Sequence, residues 1–111
     1  MKVVVGLTEK VVIIGGENKK EVLAKIDTGA QRSSMDIRLA SKLQLGPLLK
    51  TRIFRSAVGH EIRAVVKAKI KIKNRIIRAT FSLTDRKKMR YPVLIGQNIL
   101  KMGFLIDPSK K

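Results

Sequence analysis

One carboxylate of this chain lies in a sequence context that favours chemistry. Asp27 follows the apolar stretch of residues 21–26, which is typical of a strand, and precedes Thr28 and Gly29, which predict a tight turn. A carboxylate at a strand end, beside a glycine that lets another backbone approach closely, is well placed for catalysis. The same tripeptide is also typical of an Asx turn that closes a strand, and taken alone it favours that structural interpretation.

A second apolar segment lies about 65 residues further along the chain. Residues 93–96 read Val-Leu-Ile-Gly, and we predict a short helix at residues 97–102. The IDTGA segment at residues 26–30, with Ser33 after it, and this later apolar-apolar-Gly segment resemble the two motifs of the retropepsin-like aspartic peptidases. The length of 111 residues suits one protomer of that family.

The C-terminal half carries further matches to one branch of these peptidases. They are SLTDR at residues 82–86, Met89, YPVLIG at residues 91–96, Phe104 and Asp107-Pro108. These segments resemble the small retropepsin-like family often labelled "ATP-dependent zinc protease", whose members are often associated with an ATP-grasp ligase that adds glutamates to a ribosomal protein. The resemblance implies a mainly β fold, a retropepsin-like closed barrel over the single domain 1–111. It also implies one short C-terminal helix and a second helical segment.

The resemblance implies an aspartic endopeptidase with Asp27 as its catalytic residue. A pepsin-type site needs two carboxyl groups that share one proton, so that the ionised group activates a water and the protonated one polarises the scissile carbonyl. Because the chain holds a single DTG, we expect a homodimer that brings an Asp27 from each protomer to a two-fold axis. The resemblance assigns supporting roles around this carboxylate to Thr28, Gly29, Ala30, Ile95 and Gly96.

Two other parts of the chain take roles from the resemblance. Val58, Gly59 and His60 lie in the region where a flap closes over substrate, with Gly59 giving mobility; an ordinary hairpin turn is compatible with the same residues. The N-terminal strand and residues 104–106 are expected to form a dimer sheet.

The chain departs from the viral motifs at two positions. Viral retropepsins carry Asp directly after DTGA and Arg directly after the second glycine, where the two form an ion pair; this chain has Gln31 and Gln97. The closer family tends to have a basic residue at the first position and Arg at the second. Either an amide pair replaces the ion pair without leaving an unpaired charge, or the dimer is weaker or rearranged.

Composition excludes several kinds of site and points to anionic partners. The chain has no Cys and one His, which excludes disulfides, thiolate metal sites and a multi-histidine zinc site. There is no phosphate-binding GxxxxGK[ST] and no HExxH, so we expect neither ATP nor zinc and no other cofactor; a zinc hydrolase is the third-ranked alternative. No apolar run reaches the roughly 18 residues that span a bilayer. We therefore expect no membrane partner and a cytoplasmic protein.

The formal net charge of +17 attracts anions of any kind. Lys67, Lys69 and Lys71 alternate with apolar residues between positions 66 and 72, which predicts a strand with one basic face. This face is either simply solvated, or it binds an acidic protein or peptide substrate, or, less favoured because aromatic residues are scarce, a nucleic acid. A non-catalytic module that binds acidic protein or RNA is the alternative to the peptidase. The candidate anion-binding residues are Lys67, Lys69, Lys71, Arg86, Lys87 and Lys88.

The remaining elements follow from periodicity and turn residues. Extended segments are predicted at residues 3–7, 11–14, 51–58, 76–83, 92–96 and 104–106, with turns at 58–61 and 73–75. Asp36 is expected to cap a helix over residues 36–45 that ends at Gly46-Pro47. The polar residues 31–35 predict no regular element.

Overall fold

The computed structural model describes residues 2–46, 50–56 and 59–110, and of residues 50–56 and 59–61 it describes the backbone alone. Over these residues the chain forms nine strands and two short helices. In chain order they are β1 (Val3–Val5), β2 (Thr8–Gly15), β3 (Asn18–Ile26), β4 (Ser33–Asp36), α1 (Ile37–Lys42), β5 (Lys50–Ser56), β6 (Gly59–Ile72), β7 (Arg75–Thr84), β8 (Val93–Ile95), α2 (Gln97–Leu100) and β9 (Phe104–Ile106).

The alternating segment at residues 66–72 forms the C-terminal half of β6, as predicted. Its apolar members Val66, Ala68, Ile70 and Ile72 are buried, while the three lysines between them are exposed. Side chains alternate between the two faces of a strand, so the basic face of β6 points away from the core. β6 pairs antiparallel with β7 from Val65↔Ser82 to Ile72↔Arg75.

Six strands close into a barrel. The hydrogen-bonded order is β2-β3-β8-β4-β7-β6, and β2 pairs back onto β6 between Val11↔Ile72 and Ile14↔Lys69. β5 lies outside this closed set and pairs with the N-terminal half of β6, from Lys50↔Val65 to Ser56↔Gly59. The predicted fold class, a mainly β closed barrel with two short helices, is confirmed.

Aliphatic side chains from every wall of the barrel fill its interior, as the low aromatic content requires. The largest buried side chains include Phe81, Ile13, Met35, Ile70 and Ile95, none of them more than 2% exposed. Transfer of such side chains from water stabilises a fold by about 1.5–3 kcal/mol each. The barrel core thereby fixes β3, β4 and β8, the three strands whose ends carry the candidate site.

Three local predictions were wrong. Residues 33–36 form β4, although their polar sequence SSMD carries no strand pattern. The helix at 36–45 is shorter: Asp36 caps it as predicted, but α1 ends at Lys42, and the left-handed residue that follows is Gln44 (φ 54°). The predicted turn at 58–61 fails because Gly59 already begins β6, while Val58 lies outside the described residues.

The two ends of the chain meet in a separate two-stranded sheet. β1 pairs in parallel with β9, with Val4 opposite Leu105, and both of these side chains are exposed. No helix within the described residues is long and apolar enough to cross a membrane.

Candidate active site

Asp27 occupies the first position after β3. Its backbone N–H donates to the carbonyl of Ile95 at 2.9 Å, which continues the parallel β3–β8 pairing by one residue. Its carboxylate Oδ1 accepts a hydrogen bond from the N–H of Gly29 at 2.9 Å, so the Asx turn is present. The side chain is still partly exposed. The turn holds the carboxylate in one orientation without removing it from solvent, and the structural and chemical interpretations are therefore compatible.

The loop after Asp27 is bonded to the start of α2. The carbonyl of Ala30 accepts from the N–H of Gln97 at 2.8 Å, and that of Gln31 accepts from the N–H of Asn98 at 3.2 Å. The Gln97 side chain donates to the carbonyl of Thr28 at 2.7 Å. Gln97 thus supports the Asp27 loop within the chain, while an amide pair with Gln31 at a dimer interface stays a prediction.

Gly96 brings β8 and the Asp27 loop into direct backbone contact. A Cβ built at Gly96 would lie 2.4 Å from the carbonyl oxygen of Arg32 and 2.8 Å from that of Ala30. The φ of Gly96 is −104°, which any residue adopts, so space rather than backbone conformation requires glycine here. The second motif therefore acts as a close-packed support behind the first.

Ser33 connects the same elements through a fully buried hydroxyl. Its Oγ accepts from the N–H of Gly96 at 2.9 Å and donates to Asn98 Oδ1 at 2.7 Å. The Asn98 amide in turn donates to the carbonyl of Thr80 at 3.1 Å. Buried polar groups that are fully bonded in this way fix one arrangement of the strands around them. Asn98 was not predicted, because its part depends on a contact 65 residues away.

A basic pocket of about 390 Å³ lies against the segment that follows Asp27. Three arginines from separate parts of the chain line it together with two serines and the end of the Asp27 loop: Arg32, Arg63, Arg86, Ser34, Ser82 and Ala30. Of these arginines the sequence predicted only Arg86 as an anion-binding residue. Arg32 and Arg63 carry no local signal, because only the barrel brings them beside Arg86.

Arg86 is held rigidly although it is charged and only 8% exposed. The backbone N–H of Arg86 donates to Asp36 Oδ1 at 2.8 Å. In its guanidinium group, Nε donates to the carbonyl of Tyr91 at 2.8 Å, and Nη1 lies 3.4 Å from Ser34 Oγ. Burial lowers the pKa of the guanidinium from its usual range; Asp36 opposes this, and the nearby positive charge of Arg63 adds to it.

The Asp36 carboxylate organises the wall behind this pocket. It caps α1 through the N–H of Arg38 and forms an ion pair with the Arg38 guanidinium at 2.7 Å. The same guanidinium reaches Asp85 at 2.8 Å and, through that hydrogen bond, lowers the pKa of Asp85. The SLTDR segment is thus bonded to the start of α1.

The other predicted residues lie apart from this centre. Lys67, Lys69 and Lys71 are on the outer face of β6, and Lys87 and Lys88 are exposed on the loop after β7. The backbones of Gly59 and His60 pair with Ser56 and Arg55 in the β5–β6 hairpin. Within the described part of the chain, no group of three or more His, Cys, Asp or Glu side chains is arranged to hold a metal ion.

Comparison with known proteins identifies the family. A family model described as retropepsin-like aspartic endopeptidase RimB matches residues 40–111. The chain belongs to the RimB-like family. The match begins after the Asp27 loop, so it includes the SLTDR and YPVLIG segments and leaves out DTGA. A search of curated protein sequences found no match.

Solved structures agree with the fold of this RimB-like chain. A Legionella pneumophila protein of unknown function superposes with a TM-score of 0.69 at 22% identity, covering 98% of this chain and 95% of its own. The protease of equine infectious anaemia virus (EIAV), solved with an inhibitor, gives 0.67 at 22% identity, covering 85% and 84%. The simian foamy virus protease gives 0.64 at 15% identity, covering 85% and 91%. At these identities the likeness establishes the fold alone.

Proposed function

We propose that the chain is an aspartic endopeptidase whose active site forms when two protomers each contribute Asp27. The observation that carries the proposal is the geometry of the Asp27 loop. Its carboxylate is oriented by Gly29, partly exposed, and fixed from behind by backbone bonds to Ile95 and Gln97. Preorganisation of this kind is what a reacting group needs, and a purely structural Asx turn has no need of the second support.

The reaction follows from two such carboxyl groups facing each other. Two like charges about 3 Å apart cannot both ionise, so one proton is shared between them. The ionised group takes a proton from water as that water attacks the scissile carbonyl, and the protonated group donates to the carbonyl oxygen. The first group then passes its proton to the amine nitrogen as the C–N bond breaks, and a hydroxyl of the tetrahedral intermediate returns a proton to the second group, so the dyad regains its starting state.

The terminal sheet supports the homodimer. Val4 and Leu105 form an exposed apolar pair on a sheet of only two strands, and a two-stranded sheet is barely stable alone. A second copy of the chain would cover this pair. The β5–β6 hairpin is the candidate flap, since it extends beyond the closed barrel.

The basic pocket favours acidic peptide substrates. Arg63 and Arg86 are close enough for their charges to oppose each other, and Asp36 compensates Arg86 from the side of the protein. The three arginines that line the pocket would attract a carboxylate of the substrate, and arginine binds carboxylates through two parallel hydrogen bonds. Charge-assisted bonds contribute about 1.5–3 kcal/mol each, so an acidic residue beside the scissile bond should raise kcat/KM by about 10–100-fold.

The test is cleavage of a mixed peptide library, including glutamate-rich members, read by mass spectrometry from acid to neutral pH. Asp27→Asn keeps the side-chain shape and its Oδ1, and it should abolish cleavage while the dimer persists in sedimentation. Equal cleavage by wild type and this variant would refute the proposal, as would a monomer at working concentration. A dimer that cleaves nothing, yet binds polyanions with steep salt dependence, would favour the binding-module alternative.

The substrate preference has its own matched pair of variants. Arg63→Gln removes a charge from the pocket, and Arg78→Gln removes one from an exposed position on β7. Only Arg63→Gln should reduce the ratio of kcat/KM for a glutamate peptide over its glutamine analogue. Equal ratios in both variants would mean that overall charge, not the pocket, selects the substrate.

A further inference from the structure

The outer surface of four adjacent strands carries a cluster of cations that the peptidase proposal does not use. Directly opposed residues of antiparallel strands share a face, so Lys69 lies between Ile14 on one side and Arg78 on the other. The same register puts Lys71 beside Val12. The cluster, called here the outer basic face, comprises exposed side chains from β3, β2, β6 and β7: Lys10, Lys19, Lys67, Lys69, Lys71 and Arg78.

Negative charge is scarce on this face. Glu21, opposite Val12, is the one carboxylate that the register of these described strands puts there. Glu9 lies at its margin and is paired with Lys73 at 3.4 Å. Two shallow depressions, of about 500 and 260 Å³, flank the lysine row, and its side chains line both of them.

We propose that the outer basic face binds the phosphodiester backbone of a nucleic-acid duplex. Protein–protein interfaces are depleted in lysine and enriched in aromatic residues and arginine, whereas nucleic-acid interfaces are strongly positive. The outer basic face has five lysines and one arginine, which fits the second class.

The absence of aromatic side chains selects a duplex over a single strand. Single-strand binding proteins stack successive bases on aromatic rings. Phe81, the aromatic residue on these four described strands, is fully buried in the core. A duplex keeps its bases stacked internally and presents phosphates, which lysine ammonium groups contact as point charges.

The dimensions of the outer basic face suit one stretch of the phosphodiester backbone of a duplex. Lys67 and Lys71 are four residues apart, which is about 14 Å along a strand, and four strands span about 14 Å across. Six cations at this spacing can neutralise about four to six phosphates. The logarithm of the binding constant should then fall with the logarithm of salt concentration with a slope of about −4 to −5.

The outer basic face is separate from the candidate active site. Val66, Ala68 and Ile70 stand between the lysine row and the barrel interior. None of the six cations lines the pocket beside Asp27. The binding test therefore needs no peptidase activity, and it stands whether or not Asp27 is catalytic.

The test is fluorescence anisotropy with labelled 20-base-pair duplexes of RNA and of DNA, one sequence, over about 50–200 mM salt. The variant K67Q/K69Q/K71Q removes three charges from the face, and K2Q/K42Q/K101Q removes three exposed charges from elsewhere. The first variant should weaken binding at least tenfold at about 100 mM salt and reduce the slope by nearly 3, at about 0.9 per phosphate contact. The second should change affinity less than about threefold. Circular dichroism checks that both variants fold.

Three results would overturn the proposal. Equal losses in the two triple variants would mean that net charge alone attracts the duplex. A wild-type slope shallower than −2 would mean too few phosphate contacts for this face. A poly-glutamate peptide of equal charge that displaces the duplex at equal concentration would make the face an acidic-protein site. If the RNA duplex binds more tightly than the DNA duplex, the outer basic face recognises A-form geometry. If the two bind equally, it recognises the phosphate backbone that both duplexes share.

Discussion

Replacement of Gly96 by alanine tests whether close backbone approach positions the Asp27 loop. The added Cβ would lie 2.4 Å from the carbonyl oxygen of Arg32, whereas ordinary contacts begin at 3.4 Å, so one backbone must retreat by about 1.0 Å. Overpacking of this kind costs about 1–3 kcal/mol. The retreat also lengthens two hydrogen bonds, from Gly96 to Ser33 and from Gln97 to Ala30, each contributing about 1 kcal/mol.

Gly96→Ala should therefore lose about 2–4 kcal/mol of unfolding free energy, which lowers Tm by about 10–20 °C in a chain of this size. Urea and thermal unfolding at fixed protein concentration measure the loss, since the stability of the proposed dimer would depend on concentration. Gly16→Ala is the matched control, because its Cβ meets no atom of the described residues within 4 Å apart from its chain neighbours, and the left-handed φ of +61° penalises it by about 1 kcal/mol.

Gly29→Ala separates function from stability. Its Cβ would lie 3.3 Å from Asp27 Oδ1, and beyond its chain neighbours it would meet no other atom of the described residues within 4 Å. This variant should keep most of its stability and lose the proposed peptidase activity.

The reasoning about close approach at Gly96 is refuted if the unfolding free energy of Gly96→Ala lies within about 0.5 kcal/mol of wild type, a difference typical of neutral surface changes.

Two further variants test the supports of the site. Ser33→Val should cost about 2–4 kcal/mol in urea unfolding, because it leaves the N–H of Gly96 and the amide of Asn98 without their buried partner, and a loss below about 1 kcal/mol would contradict this. Asp85→Asn tests pH dependence: Arg38 lowers the pKa of Asp85 from 3.8, so this pair contributes to stability above that value and the contribution is lost as pH falls through the lowered one. The small Tm deficit of this variant should thus disappear as the pH falls below about 3.8 and through the lowered pKa, and a deficit that is constant with pH would show that the pair does not act through charge.

Much of the fold was predictable because its signals are local. The two-residue period at 66–72 fixes which side of β6 is buried, whatever the strand pairs with. The Asp36 cap and the turn after β6 likewise depend on neighbouring residues alone. β4 was missed because four buried polar and apolar residues in a row have no period. Its place between β7 and β8 depends on pairs that are about 50–60 residues apart in sequence.

The candidate site, like the fold, contains residues that the sequence indicated and residues that it did not. The resemblance of the IDTGA and LIG segments to the retropepsin-like motifs singled out Asp27, Gly29 and Gly96. Such motifs are local, because rigid turns and close approach need particular residue types in a fixed order. The arginine pocket was beyond such reasoning, since Arg32, Arg63 and Arg86 come from three distant segments.

The sequence by itself determined most of the barrel-forming strands and the excess of positive charge, because periodicity and composition are properties of the chain, and its resemblance to the retropepsin-like motifs singled out the candidate carboxylate. Only the tertiary structure brought three arginines together beside the Asp27 loop and joined the lysines of β6 to cations of β2, β3 and β7 in the outer basic face. The physical reason is that a lysine or arginine has the same charge wherever it occurs. Barrel closure decides whether it faces a partly buried pocket, where a charge needs a counter-ion, or open solvent.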